Sequence, residues 1–155
     1  MKKLFLLFVV TALSFTVFGQ KRMMQVKTIQ DKLNEEYCSG IFKMVDGTYF
    51  DLLDDRINSS AMGYTNVLDW LQGRVAGLQI YTTYDRIRVP FIRNQRAGVY
   101  VDEVPVSEDF LSMLPVSDIA MIKVIKDPLI SGWRGPGGAI AIYTIRGEDD
   151  EDLEE

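Results

Sequence analysis

Residues 117–147, SDIAMIKVIKDPLISGWRGPGGAIAIYTIRG, predict two strands that are joined by a loop rich in glycine and proline. Side chains alternate along the first strand, residues 119–126, and point to two opposite faces: Ile122 and Val124 to one, and Met121, Lys123 and Ile125 to the other. Pro128 ends this strand, because proline has no N–H to donate to a neighbouring strand. Residues 139–145 are apolar on both faces, a pattern typical of an interior strand and also compatible with a buried turn of helix.

The loop between these strands contains four glycines, one aromatic and one basic residue. Glycine permits positive φ angles and the close approach of two backbones. Two interpretations are open: a tight structural loop with one anchoring aromatic side chain, or a binding loop, since function concentrates in loops. The candidate partner-binding residues of this loop are Trp133, Arg134, Gly135 and Gly138.

The composition excludes several kinds of site in this chain of 155 residues, whose length predicts a single domain with tails. It contains no histidine and one cysteine, Cys38, which rules out an intrachain disulfide and a zinc site built from cysteine and histidine. We interpret Cys38 as a buried apolar residue, with intermolecular pairing as the alternative. No cofactor is expected, because Gly138 leads into a predicted strand and not into the helix that a phosphate-binding loop requires.

Both ends of the chain differ from its middle. Residues 1–19 combine Lys2 and Lys3 with an apolar run of signal-peptide length, so we predict export with cleavage after Gly19, and an uncleaved anchor as the alternative. No other apolar run approaches the length of a spanning helix, which predicts a mature chain without a membrane-spanning segment. Residues 148–155, EDDEDLEE, hold seven acidic residues and predict a disordered acidic tail that solubilises the protein or binds cations or a partner.

Residues 20–63 predict an N-terminal extension made of a short amphipathic helix and a hairpin. The helical spacing of Ile29, Leu33 and Tyr37 indicates the helix. Asp46-Gly47, placed between two strand-like runs, favours the type I′ turn of a hairpin.

The next segment predicts a helix that begins at Asn66, whose side chain caps the free amides, and ends at Gly77. Its buried face is formed by Val67, Leu68, Leu71 and Val75. Gly73 falls inside this helix, which indicates close packing against another element. Further strands are predicted at residues 78–82 and 98–104.

Residues 82–96 are basic and carry aromatic side chains nearby. The candidate basic surface consists of Arg86, Arg88, Arg93 and Arg96, interleaved with Tyr81, Tyr84 and Phe91. Nucleic acid is disfavoured as a partner, because the net charge is −5 and the N-terminal segment predicts export. A surface for a polar or anionic partner, including the acidic tail, is one interpretation, and a solvated edge without function is the other.

Four blocks of sequence resemble the plug domain of TonB-dependent outer-membrane receptors, and most of all the branch that imports glycans with a surface lipoprotein partner. They are NVLDWLQGRVAGLQI (66–80), VYVDEVPV (99–106), LPVSDIAMIKVIKD (114–127) and WRGPGGAIAIYTIRG (133–147). The resemblance covers residues 64–147 and implies an α+β fold with a small mixed β-sheet and short flanking helices. It also implies that Arg134 and Gly135 match the family's Arg-Gly, and that Gly138 matches the glycine before its final strand.

Three places depart from the family pattern. Glu103 stands where the family has glycine in its Val-Asp-Gly-Val-Pro turn, residues 128–133 are shorter than the usual Ala-rich run, and residues 82–96 lack the usual Gly-rich Ile-Arg-Gly loop. A plugged barrel of about 22 strands needs more than roughly 200 residues, and only the tail follows the plug-like blocks. We therefore expect a stand-alone plug-like domain without the barrel.

The resemblance and the N-terminal segment together predict an exported, non-catalytic binding domain of the bacterial cell envelope. We expect it in the periplasm or at the outer membrane, as an accessory to TonB-dependent uptake whose partner is an envelope protein, either a barrel or a surface lipoprotein. The alternative is a structural remnant or accessory fold of a receptor with no ligand of its own. An enzyme is disfavoured, because a hydrolase triad lacks its base without histidine and the adjacent carboxylates of Asp102 and Glu103 point apart in a strand.

Overall fold

The computed structural model describes residues 29–128 and 135–146. The predicted signal peptide, the acidic tail and two candidate loop residues, Trp133 and Arg134, lie outside the described residues. The chain divides into two units, residues 1–36 and residues 37–155.

The described part of the first unit is helical. Helix α1 covers residues 29–37 and ends on the first residue of the second unit. Leu33 is buried in it, whereas Ile29 is exposed. The amphipathic helix predicted from the spacing of these residues is confirmed over this range.

The second unit consists of two β-sheets and several short helices. Its elements in chain order are α2 (Gly40–Met44), β1 (Thr48–Asp51), α3 (Asp55–Ala61), α4 (Val67–Leu71), β2 (Leu78–Thr82), β3 (Arg88–Ile92), β4 (Gln95–Arg96), β5 (Gly98–Val101), β6 (Val104–Val106), β7 (Ile119–Ile125) and β8 (Ala139–Thr144). Two turns of 3-10 helix, Phe110–Ser112 and Val116–Asp118, precede β7.

The main sheet has five strands in the order β1-β7-β8-β5-β6. Strand β8 occupies its centre: it runs antiparallel to β7, with Ile142 opposite Ile122, and parallel to β5, with Ile140 opposite Val99. A sheet that contains both kinds of pairing is mixed. The predicted α+β fold, a small mixed sheet with short flanking helices, is therefore confirmed.

Both faces of strands β7 and β8 are buried. The apolar run of residues 139–145 predicts this for β8, whereas for β7 the sequence predicts only the alternation. On one face Ile122, Val124, Ile140 and Ile142 join a single hydrophobic core with the apolar side chains of α4. On the other face Lys123 and Tyr143 are buried, and the ring of Phe42 from α2 packs edge-on against Tyr100 of β5 at 5.1 Å between ring centroids. The alternation of Ile122 and Val124 with Lys123 thus separates two different environments.

The second sheet, β2-β3-β4, is antiparallel, and β2 matches the strand predicted at residues 78–82. Its inner face contributes Leu78 and Ile92 to the hydrophobic core, with Ile80 packed against that core. Strand β4 pairs with β3, Arg96 lying opposite Phe91. Strands β3 and β4 fall within the stretch described from sequence only as basic, because its alternation is broken by Pro90 and by a two-residue turn.

The hairpin predicted around Asp46-Gly47 is wrong. Residues Gly40–Met44 form one helical turn, α2, and β1 pairs with β7, Phe50 lying opposite Ile122. Pairing with β7 places Phe50 against the core, where its ring meets Trp70 at 5.2 Å. Long-range burial therefore overrides the local preference of Asp-Gly for a hairpin turn.

The helix predicted from Asn66 to Gly77 is shorter than expected. The Asn66 side chain caps it by accepting a hydrogen bond from the amide of Leu68 at 2.9 Å, as predicted, but α4 ends at Leu71. Gly73 adopts a φ of +82°, a left-handed conformation that continues no helix. A Cβ at Gly73 would have no neighbour within 4 Å, so this glycine serves the turn and not close packing.

Residues 98–104, predicted as one strand, form a hairpin instead. Asp102 and Glu103 have φ values of +47° and +66° and turn β5 into β6. Positive φ at two successive residues is the geometry of a type I′ turn, which favours glycine and asparagine. The sequence signal for this turn is weak because Glu103 occupies the position where glycine is favoured.

Candidate functional site

The glycine-rich loop lies directly against strand β4 of the second sheet. The amide of Gly137 donates a hydrogen bond to the carbonyl oxygen of Arg96 at 2.9 Å. A Cβ at Gly135 would lie 2.2 Å from that same oxygen, and a Cβ at Gly137 would lie 2.2 Å from the carbonyl oxygen of Gln95. Contacts this short never occur, so only glycine fits at these positions.

Gly138 performs the same role on the other side of the loop. Its φ is +103°, and a Cβ there would lie 2.2 Å from the carbonyl oxygen of Ile125. Its own carbonyl oxygen accepts the amide of Gly98, where β5 begins. The described glycines of the loop, Gly135, Gly137 and Gly138, thus hold β4, β5 and β7 together, while the predicted binding role of this loop stays a prediction.

The four predicted arginines separate into two pairs. Arg88 donates to the carboxylate of Asp69 in α4 at 2.7 Å, and Arg96 donates through Nε and Nη2 to one oxygen of Glu108 at 2.9 and 2.5 Å. Arg86 and Arg93 lie at the turns before and after β3, with φ values of +63° and +52°, and form no ion pair within the described residues. The basic character of this surface is therefore concentrated at its two turns.

The outer face of the second sheet forms a groove of about 650 Å³. Its floor is apolar and aromatic, and its rim is polar; the lining residues are Tyr81, Thr82, Thr83, Ile87, Val89, Phe91, Asn94, Arg96, Glu108 and Asp109. The rings of Tyr81 and Phe91 pack edge to face at 5.1 Å and 89°. Cross-strand register explains the floor, because Tyr81 lies opposite Val89, so both side chains stand on one face.

The polar rim of the groove finds hydrogen-bond partners for only part of its side chains within residues 29–128 and 135–146. Arg96 and Glu108 bond to each other, and Thr83 exchanges hydrogen bonds with the backbone of Ile87. Across the described residues, the side chains of Asn94 and Asp109 form no hydrogen bond or ion pair, and both are exposed. An apolar floor beside unpaired polar groups is the usual composition of a binding site.

A second polar cluster lies on the far face of the main sheet, beneath residues 37–44. Burial is the main cause of three shifts there: it raises the pKa of Cys38, raises the pKa of Tyr143 and lowers the pKa of Lys123. A hydrogen bond between Cys38 and Tyr143 raises the pKa of the tyrosine further. The prediction that Cys38 is a buried residue is confirmed, since it is a buried free thiol.

Several residues of these sites are absent from the sequence-based candidates. The aliphatic floor of the groove forms through the pairing of β2 with β3, which the sequence pattern leaves undefined. Asn94 joins the lining from the turn between β3 and β4, and Glu108 joins it from the segment after β6. Trp70 and Tyr143 are buried, and Trp133 lies outside the described residues. In the described part of the chain, no cluster of acidic or cysteine side chains suits a metal ion. Its helices are also too short or too polar to span a bilayer.

Comparison with known proteins gives one family and a group of solved structures. The family profile described as TonB-dependent Receptor Plug Domain matches residues 54–149. The chain is similar to the RagAB peptide importer in its open-open state, with 22% identity and a TM-score of 0.53 over 66% of this chain and 12% of that chain. It is also similar to the RagAB peptide transporter, with 22% identity and a TM-score of 0.47 over 66% of this chain and 13% of that one. No curated protein sequence matches.

These similarities differ in what they establish. The profile match extends over most of the chain and includes both sheets except β1. At 22% identity the similarity to the importer shows a shared fold alone. The chain spans 12% of the length of that importer chain, so the activity of the whole importer does not transfer with the fold.

Proposed function

Since the chain belongs to the family of TonB-dependent receptor plug domains, we propose that it is an exported, non-catalytic binding domain of the bacterial cell envelope. It acts as an accessory to TonB-dependent uptake, in the periplasm or at the outer membrane. Its partner is an envelope protein of the uptake system, either a barrel or a surface lipoprotein. The groove on the outer face of the second sheet is the observation that supports this proposal most strongly.

The groove suits a protein partner because it combines an aromatic floor with a charged rim. Tyr81 is 53% exposed although its ring packs on Phe91, so one large rigid surface remains open. Aromatic side chains of this kind are enriched at the centres of protein interfaces. Arg86 and Arg93, which form no ion pair in the part of the chain that the structure describes, add positive charge at the turns of the same sheet, which steers a partner with an acidic surface.

The fold similarity supports uptake as the process. A chain of the RagAB peptide importer contains a domain of this fold, and the matched family is defined by receptors that take up ligands. The predicted signal peptide supports the location. The fold similarity, the family match and the predicted signal peptide all support this proposal, and none of them involves a catalytic residue.

The proposal is tested by site-specific photo-crosslinking in the organism's envelope. A photoreactive amino acid replaces Tyr81 in the groove, and a second variant carries it at Met62, which is 50% exposed and lies outside the groove. We expect a crosslink from position 81 to a barrel protein or surface lipoprotein, identified by mass spectrometry, and none from position 62. Equal labelling from both positions, or a chain that stays in the cytoplasm, contradicts the proposal.

One observation favours the second candidate, an accessory fold without a ligand. Arg88 and Arg96 are both neutralised by carboxylates of the same chain, so half of the predicted basic surface already has partners. If the chain is an accessory fold without a ligand, Trp133→Ala and Arg134→Ala should change its stability and leave partner capture unaltered. Urea unfolding and the crosslinking yield from position 81, measured on these variants, separate the two functions.

A further inference from the structure

The turn between β5 and β6 places a glutamate where the backbone favours glycine. Glu103 has a φ of +66°, a left-handed conformation that side chains with a Cβ adopt at a cost. Glycine is the residue that this position of a type I′ turn favours. A costly residue at such a position calls for an interaction that compensates it.

The Glu103 side chain makes that interaction with the segment that precedes the main sheet. One carboxylate oxygen accepts the amide of Ser39 at 2.5 Å, and the other accepts the Ser39 hydroxyl. The first oxygen also accepts the hydroxyl of Tyr143 at 3.2 Å. Glu103 therefore binds Ser39, which lies 64 positions earlier in the chain, and connects it to Tyr143 in the central strand of the sheet.

Residues 37–44, which we call the strap, cover the far face of the main sheet as a thin layer. The Phe42 ring packs on Tyr100, and the buried Lys123 ammonium donates to the carbonyl oxygen of Phe42. At its start, the Tyr37 ring packs against Tyr143 at a tilt of 59°, and its centre lies 5.2 Å from the Arg146 guanidinium. Other strap side chains point outward: Ile41 is 53% exposed and Met44 is 85% exposed.

Helix α2, which forms most of the strap, has little stability of its own. It is five residues long, well below the length at which isolated helices persist. Ser39 occupies its N-cap position and yet makes no side-chain cap, because the hydroxyl is bonded to Glu103. The closing hydrogen bond of α2, from the Lys43 amide to the Ser39 carbonyl oxygen at 3.1 Å, thus depends on a residue that Glu103 holds in place.

We propose that the strap opens and closes over the far face of the main sheet, and that Glu103 is the residue that holds it closed. Opening lifts residues 37–44, with Cys38 among them, off the sheet and uncovers Lys123 and Tyr143, while β1 stays paired with β7. Asp46-Gly47, between the strap and β1, forms the hinge. Of the eight strap residues, Tyr37, Cys38 and Phe42 are buried and the other five are exposed. Segments that bury few of their side chains open locally without global unfolding.

Hydrogen exchange of the full chain tests this proposal. The readout is the exchange rate of the α2 amides, Lys43 above all, in wild type, Glu103→Gly and Ser39→Ala. We expect Glu103→Gly to speed exchange by about tenfold or more, because bonds to a charged acceptor are lost, and Ser39→Ala to have a smaller effect in the same direction. The urea midpoint of Glu103→Gly should stay close to that of wild type, since glycine relieves the left-handed turn.

Glu108→Gln is the matched control, because Glu108 also bonds across the chain but contacts Arg96 and not the strap. It should leave the α2 exchange rates unchanged. Labelling of Cys38, the single cysteine, provides a second readout and should accelerate in parallel with exchange when both are compared at matched pH. Unchanged α2 exchange in Glu103→Gly and in Ser39→Ala overturns the proposal, and so does acceleration that only follows a loss of global stability.

Discussion

The amide of Gly137 and the carbonyl oxygen of Arg96 form a hydrogen bond of 2.9 Å that joins the glycine-rich loop to the second sheet. Two features that are separate in the sequence, the loop and the basic stretch, are therefore one structural element. The loop glycines fix the edge strand β4, and β4 in turn supports the wall of the groove through Arg96. A substitution in the loop should consequently change partner binding at the groove as well as the stability of the fold.

Gly137→Ala tests this coupling by steric means alone. The new Cβ would lie 2.2 Å from the carbonyl oxygen of Gln95, so the backbones must move apart. We expect the free energy of unfolding to fall by about 1–3 kcal/mol, the usual cost of overpacking, and the yield of the Tyr81 crosslink to fall with it. Urea denaturation followed by tryptophan fluorescence measures the first effect.

Gly63→Ala is the control, because a Cβ at Gly63 has open space around it and its φ lies outside the left-handed region. Its stability should be unchanged or higher by up to about 1 kcal/mol, through the reduced freedom of the unfolded chain. If the two alanine variants are equally stable, the loop backbone accommodates the new Cβ with no loss of free energy of unfolding. The contact between the loop and β4 would then be loosely packed.

The ion pair between Arg96 and Glu108 should contribute little to stability despite its short contacts. The Arg96 side chain is 54% exposed, so water screens the interaction. A double-mutant cycle with Arg96→Ala and Glu108→Ala should give a coupling energy of about 0.2–1 kcal/mol. A coupling well above that range would assign this pair a structural role and weaken its assignment to a binding surface.

The sequence predicts those parts of the fold whose local pattern agrees with their final environment. Strands β7 and β8 follow from alternation and from a fully apolar run, and the Asn66 cap follows from residue type. The Asp46-Gly47 hairpin fails because β1 gains more by burying Phe50 in the core than by pairing locally. Local turn chemistry decides a structure only where no distant strand competes for the same residues.

The site was less predictable than the fold, and for a physical reason. Arginine and aromatic residues mark the basic stretch in the sequence, but the partners Asp69 and Glu108 lie 19 and 12 positions away from Arg88 and Arg96. Whether an arginine is paired depends on these tertiary contacts. Glu103, by contrast, is visible in the sequence as a departure from glycine, but its bonds to Ser39 are tertiary contacts that the sequence does not predict.

Asn66 should stabilise the chain mainly through its side-chain oxygen. That oxygen caps α4 at the Leu68 amide, whereas its buried nitrogen finds no acceptor within the described residues. Asn66→Ala should lower the free energy of unfolding by about 0.5–2 kcal/mol. Asn66→Ser keeps an acceptor and removes the unsatisfied nitrogen, so it should cost less than alanine; thermal unfolding of both variants measures the difference. Equal losses would mean that the cap contributes nothing.

The contribution of Cys38 to stability should fall at alkaline pH. Burial raises the pKa of its thiol above the ordinary value of 9.0. Between that value and the folded-state pKa, the unfolded chain has lost the thiol proton and the folded chain has kept it, so rising pH favours unfolding. Compared with Cys38→Ala, wild type should lose up to about 1.4 kcal/mol per pH unit in this window and nothing below it. Parallel stability curves for the two proteins from about pH 8 to about pH 10 would contradict the shift.

Two substitutions of Lys123 separate the effect of buried side-chain volume on stability from the effect of buried charge. It is fully buried, its ammonium donates to the carbonyl oxygen of Phe42, and it lies 4.8 Å from the centre of the Tyr49 ring. Lys123→Ala removes both the stem and the charge, and should cost about 2–5 kcal/mol. Lys123→Met keeps the stem and relieves the desolvation of the charge, so it should cost less than about 1.5 kcal/mol.

The pH dependence of the methionine variant gives an independent check on the same residue. Burial lowers the pKa of Lys123 from its ordinary value of 10.5. Between the folded-state pKa and that value the unfolded chain binds more protons than the folded chain, so the stability of wild type relative to Lys123→Met should rise with pH. Urea unfolding of both proteins across this window measures the slope. A slope of zero would mean that the ammonium is as well solvated in the sheet as in water, which its burial and its bond to the Phe42 carbonyl argue against.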